Sequence, residues 1–243
     1  MPNPSISPLR SVGERAPVPL STAALGWLGA WLAGGLVASA ILASSGHDSV
    51  AAAGPWWLAA AQLANWSALV AVVVVLGRRY GSGGLGRDFG LSFRAIDLVG
   101  VPIGVLAQLV LVRLLYWPLE EIWPATFGQE RLEERTRELW DSAHGAGLAL
   151  LVVVVVLGAP LVEELVYRGL LQGALTRRLT DVLGLGLAAT WFALIHFQPV
   201  EYPGLFVAGL TFGVCMVWTD RLGMGVLAHM AFNASALALA AGR

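Results

Sequence analysis

Between Ala16 and Gly46 the chain carries no charged side chain, and six further stretches of the same kind follow it. They run Ser49–Gly77, Leu98–Val112 (resuming after Arg113 as far as Leu119), Ser142–Val162, Val182–Val200, Tyr202–Thr219 and Leu222–Gly242. A charge at the centre of a membrane helix costs about 2.5–3.5 kcal/mol on insertion scales, and about 20 apolar residues suffice to cross a bilayer. Only 13% of the residues are charged, against about 25% in an ordinary soluble domain. Mean hydropathy is +0.71, so a water-facing surface cannot be built from what remains. The chain reads as all-α, a polytopic transmembrane helical bundle of about seven spans. The apolar core of the first run, Leu20 to Ala43, exceeds the roughly 7–15 residues of a signal-peptide core and counts as a span.

Four segments follow from the runs. Residues 1–19, proline-rich and without apolar periodicity, read as a flexible tail. Residues 20–116 hold three accessory helices. Residues 117–144 form an acidic interfacial linker. In it Leu132, Thr136, Leu139 and Trp140 share one helical face, and Glu133 precedes Arg137 by four, which predicts a short amphipathic helix on the membrane surface before span 4. Glu120 and Glu121, between two Trp-Pro pairs, read as a solvated loop. Residues 145–243 form the core.

All 15 basic residues are Arg. Arg10, Arg15, Arg78, Arg79, Arg87, Arg94, Arg177, Arg178 and Arg221 fall on one side, and Arg131, Arg135, Arg137 and Arg243 on the other, so the positive-inside rule places the N-terminus inside, as in a bacterial inner membrane. Trp56, Trp57, Trp117, Trp123, Trp140 and Trp218 lie near span ends, where interfacial indoles collect. The net charge of −1 argues against nucleic acid as a partner. Lipid and a membrane-associated peptide or protein are the partners expected. The single cysteine, Cys215, excludes an internal disulfide. Gly100/Gly104, Gly169/Gly173 and Gly209/Gly213 mark close helix approaches.

Against so apolar a background the polar residues of the last spans stand out. The fourth run ends in Pro160-Leu161-Val162-Glu163-Glu164-Leu165-Val166-Tyr167-Arg168. Glu164 and Arg168 are four apart and can pair on one helix face; Glu163, rotated by about 100°, points elsewhere and is left free. An unpaired carboxylate in a membrane is costly and defaults to a functional role. Phe192-Ala193-Leu194-Ile195-His196 lies in the fifth run, and His229 and Asn233, one turn apart, in the seventh. Glu163 and His196 are equidistant from the Arg178–Asp181 turn, roughly 25 Å along each helix. His229 and Asn233 fall shallower, roughly 12–18 Å from Arg221, a gap that tilt or stagger can close.

Glu-Glu-x-x-x-Arg, Phe-x-x-x-His and His-x-x-x-Asn on successive hydrophobic helices resemble the CPBP intramembrane proteases. That family includes the type II CAAX prenyl endopeptidases and bacterial bacteriocin-processing or self-immunity proteins with the Abi domain. The resemblance covers about residues 145–240, and Asp88-Phe89-Gly90-Leu91-Ser92 with Asp97 is similar to the region before the third span in bacterial members. It implies an intramembrane endopeptidase. Glu163 and His196 would activate water, His229 and Asn233 would form an oxyanion hole, and Glu164 with Arg168 would hold the first pair in place. That assignment agrees with the chemistry the residues allow on their own, since hydrolysis needs an activated water and donors for the developing oxyanion.

A zinc-dependent protease using Glu163, His196 and His229 is the alternative, since two histidines and a carboxylate make a familiar catalytic zinc set. No His-Glu-x-x-His motif occurs, and Asn233 suits an oxyanion donor better than a ligand, so the preferred reading requires no cofactor. Motifs of serine and aspartyl intramembrane proteases are absent. A non-enzymatic scaffold or immunity protein on the same fold is the competing class. Single membrane histidines and asparagines commonly serve as interhelical glue; their joint occurrence with the Glu-Glu-x-x-x-Arg element favours the enzyme.

Overall fold

The computed structural model describes residues 15–47 and 50–242, and among these the chain forms helices and turns with no strand. Six helices are long and apolar enough to cross a membrane: α1 (Leu20–Ser44), α2 (Pro55–Tyr80), α3 (Ala95–Ile122), α5 (Ala146–Arg178), α7 (Tyr202–Thr219) and α8 (Gly223–Ala241). The amphipathic α4 (Gln129–Asp141) lies between the third and fourth of them. The apolar α6 (Asp181–Leu194) completes the seven. The protein is a multi-pass membrane protein. Large apolar side chains such as Leu25, Leu36 and Val182 face outward, while a few polar ones, Asp97, Glu164, Arg168 and Gln172 among them, are buried.

α6 departs from the expected length. The uncharged run extends to Val200, but the helix ends at Leu194, about 21 Å after it starts, short of the roughly 30 Å hydrocarbon core. Phe197 adopts a left-handed φ of 53°, which turns the chain away from the helix axis. The turn's backbone remains bonded within the protein: His196 N–H donates to Ala193 O, Phe197 N–H to Leu194 O, and Val200 O accepts from Tyr116 Oη at 2.6 Å. Irregular backbone at membrane depth requires such internal partners. At the other end Thr180 caps α6, its Oγ1 accepting from Leu183 N–H.

Two further expectations are corrected. The helical α3 runs through Glu120 and Glu121, and Glu120 lies 3.7 Å from Arg113; the pair is not in a loop. Residues 1–14 of the expected tail lie outside the described residues, but Arg15, Ala16 and Val18 are buried. Arg15 pairs with Asp220 at 2.7 Å, and Ala16 N–H donates to Asp88 O. Burial lowers the Arg15 pKa and Asp220 opposes that shift. Arg221 pairs with the fully buried Asp97 at 2.7 Å, and Leu222 N–H donates to Gly90 O. The 88–97 segment thus anchors the turn from which α8 starts.

Of the small-residue pairs, Gly100/Gly104 and Gly209/Gly213 mark close helix approaches, whereas a Cβ on Gly173 would meet only its own helix. A Cβ on Gly100 or Gly104 would collide with the backbone carbonyl of Met224 or Ala228, so α3 and α8 touch main chain to main chain. Neither carbonyl can swing aside as a side chain could. Gly104→Ala is expected to lower the stability of the purified protein by about 1–3 kcal/mol or more, read by denaturant titration in detergent. Gly29→Ala, where nothing lies within 4 Å, should be neutral.

α4 takes the amphipathic form expected of it. Leu132, Thr136, Leu139 and Trp140 are half-buried, and Arg137 bonds Glu133 at 2.8 Å.

Candidate active site

α5 carries the two glutamates near its middle, and its backbone there is not regular. π-helical turns occupy Val153–Gly158 and Glu164–Gln172. Such turns concentrate at functional sites because they shift side chains and free carbonyls from the usual ladder. Pro160, between them, has no N–H to donate. Glu164 is fully buried and held from two sides: Arg168 Nη1 lies 3.1 Å from its Oε1, and His229 Nδ1 lies 3.0 Å from the same oxygen. An ionised carboxylate only accepts, so Nδ1 of His229 is the donor. Gly225, one turn before His229, lets this happen; a Cβ there would stand 3.2 Å from Glu164 Oε2 and 3.1 Å from Phe212 O.

Glu163 has a different environment. Its side chain is 21% exposed, and its Oε2 faces His229 Nε2 at 3.8 Å. His229 therefore stands between the two glutamates, one ring nitrogen toward each. The depth gap expected for His229 is closed, since its ring reaches both glutamates.

Arg168 is fixed with equal care. Its guanidinium lies 4.4 Å from the centre of the Phe192 ring and 5.4 Å from that of Phe212, a desolvated cation–π arrangement. Its Nη2 donates to Gly209 O at 3.2 Å. One turn on, Gln172 Nε2 donates to Gly213 O at 3.2 Å. The two bonds run in parallel from α5 to α7. Phe212 also stacks on His229, ring centres 4.4 Å apart, and Phe192 meets the same imidazole edge-on at 5.7 Å.

His196 lies in the turn after α6, half-buried, its ring edge-on to Phe192 at 4.9 Å. Its Nδ1 lies 2.7 Å from Phe192 O, so Nδ1 carries the proton and Nε2 is left over. No hydrogen bond or ion pair joins His196 to Glu163; Phe192 is the side chain that links the two histidines. Asn233 donates its Nδ2 to Val155 O at 2.8 Å, a carbonyl of the first π-helical turn, which leaves its second amide hydrogen. Of the six candidates, Glu163, Glu164, Arg168 and His229 form one connected cluster. His196 and Asn233 flank it.

Among the described residues no three His, Cys, Asp or Glu side chains converge closely enough to hold a metal ion. Glu163, His196 and His229 do not fit the zinc set in this arrangement. The residues missed from sequence are Phe212, the Val155 carbonyl and Gln172. Only Gln172 carried a signal, being four residues past Arg168 on the same face.

Residues 145–235 match the family described as type II CAAX prenyl endopeptidase Rce1-like. That part of the chain is similar to the CPBP/CAAX proteases. A protein of Staphylococcus aureus (strain USA300), the membrane-embedded CAAX protease MroQ, is 26% identical over 113 residues, 44% of this chain and 45% of that protein. The chain thus spans under half the length of the curated relative it matches. No solved structure matches it. The matched region starts at the head of α5 and ends in α8, so it contains all six candidate residues and none of α1–α4.

Proposed function

We propose that this protein is a CPBP/CAAX-type intramembrane endopeptidase acting on a membrane-associated peptide or protein. The observation that carries the reading is the division between adjacent glutamates: Glu164 buried, ion-paired to Arg168 and hydrogen-bonded to His229, Glu163 partly exposed with His229 Nε2 3.8 Å away. Glu163 takes a proton from the attacking water and returns it to the leaving amine. His196, with Nδ1 committed to Phe192 O, offers Nε2 to the same water. His229 and the second N–H of Asn233 form the oxyanion hole. Every step uses side chains of this chain, without a metal.

The test is cleavage of a quenched decapeptide pool by the purified full chain in phosphatidylethanolamine–phosphatidylglycerol vesicles with excess chelator. Hydrolysis undiminished by chelator is expected. No hydrolysis, or hydrolysis abolished by chelator and restored by zinc, contradicts the reading.

The Arg distribution supports an N-in orientation in a bacterial inner membrane, with α4 outside. Cys215 is buried and gives little background, so a Thr126→Cys protein should react with an impermeant maleimide added to intact cells. Labelling only after lysis reverses the orientation.

A further inference from the structure

Beside the catalytic layer, α3, α4, α7 and α8 enclose a cavity of about 440 Å³, within the roughly 300–1,000 Å³ range of binding pockets. Its lining combines apolar side chains, among them Leu109, Leu205 and Phe232, with polar ones, among them Gln108, Thr136 and Glu201. Phe232 ties it to the chemistry. This residue precedes Asn233, and its ring packs edge-on at 5.7 Å against Phe212, on which His229 stacks. Ala236, on the wall of the cleft, lies about 10 Å along α8 from His229. Three residues of extended chain cover that distance.

The lining contains an unmet need. Gln108 Oε1 is buried without a hydrogen-bond partner, in the π-helical turn Ala107–Leu111 of α3. A buried acceptor left unpaired is destabilising. A lipid acyl chain filling the cleft would leave it unpaired, whereas an extended peptide presents an N–H. We propose that the cleft docks an apolar stretch of the substrate peptide next to the scissile bond, Gln108 Oε1 accepting one of its backbone N–H groups. On the α8 wall Ala236 and Ala240 present only methyl groups, leaving room for the peptide's side chains. This assignment rests on the peptidase reading above.

Binding is measured without turnover, on the full chain carrying Glu163→Gln in phosphatidylethanolamine–phosphatidylglycerol nanodiscs. The probe is a fluorescein-labelled pool of decapeptides alternating Leu, Val or Ala with Ser or Thr, read by anisotropy. Adding Ala236→Trp, which fills the cleft, is expected to weaken binding about tenfold or more. Adding the near-isosteric Gln108→Leu should weaken it about threefold to tenfold, and keeps the test valid if the tryptophan variant does not fold. The proposal is overturned if the pool fails to bind the intact cleft, or if Gln108→Leu leaves affinity unchanged. It is equally overturned if phosphatidylglycerol with a photoactivatable acyl chain labels the cleft and the peptides do not displace it. Peptide binding without hydrolysis by the unsubstituted chain sinks the peptidase and spares the cleft; hydrolysis indifferent to Gln108→Leu does the reverse.

Discussion

Arg168→Met is expected to lower the stability of the protein by about 3–5 kcal/mol, the cost typical of removing one partner from a buried ion pair. Glu164 is fully buried, and Arg168 is its ion-pair partner, with His229 Nδ1 its hydrogen-bond donor. Without the guanidinium a carboxylate remains in an apolar layer with His229 alone. The substitution also removes the bond to Gly209 O and the contacts with Phe192 and Phe212. The loss should be partly recovered in Arg168→Met with Glu164→Gln, because the orphaned charge goes with it. Denaturant titration of the single and double variants reads both effects. A single variant within about 1 kcal/mol of the parent contradicts a structural role for the pair.

Glu163→Gln should lower turnover by about 10²–10⁴-fold, the usual contribution of general acid–base catalysis. The amide keeps the shape of the side chain and loses its ability to take a proton. Stability should hardly change, since Glu163 is partly exposed and its nearest charged partner, His229 Nε2, is 3.8 Å away. Glu164→Gln should show the opposite balance, losing stability first, because its oxygen is shared by Arg168 and His229. Measuring kcat and unfolding midpoint on each preparation separates the two glutamates. Equal loss of turnover in the two variants with equal loss of stability contradicts the division of labour.

Much of this arrangement was legible beforehand. The i,i+4 spacing of Glu164 and Arg168, and the 100° between adjacent helical positions, were enough to separate the paired glutamate from the open one. What could not be read was the packing that seats His229 against Glu164. It depends on Gly100 and Gly104 meeting the backbone of α8 at Met224 and Ala228, and on Gly225 clearing Glu164. Small residues announce a close approach without naming the partner. The end of α6 was hidden for a related reason: Ile195 to Val200 are as uncharged as the helix before them, and hydropathy does not see the left-handed turn at Phe197. Asn233 found its carbonyl in a π-helical turn within a run of valines, where the side-chain pattern records nothing of the backbone ladder.

The most direct test of the account is a comparison of peptide termini in membranes of cells expressing the wild-type chain or Glu163→Gln at equal abundance. New termini within or beside membrane segments, present with the wild type and absent with the variant, are the predicted result. The same termini in both, or none in either, would contradict the claim that this chain is a peptidase that works through Glu163.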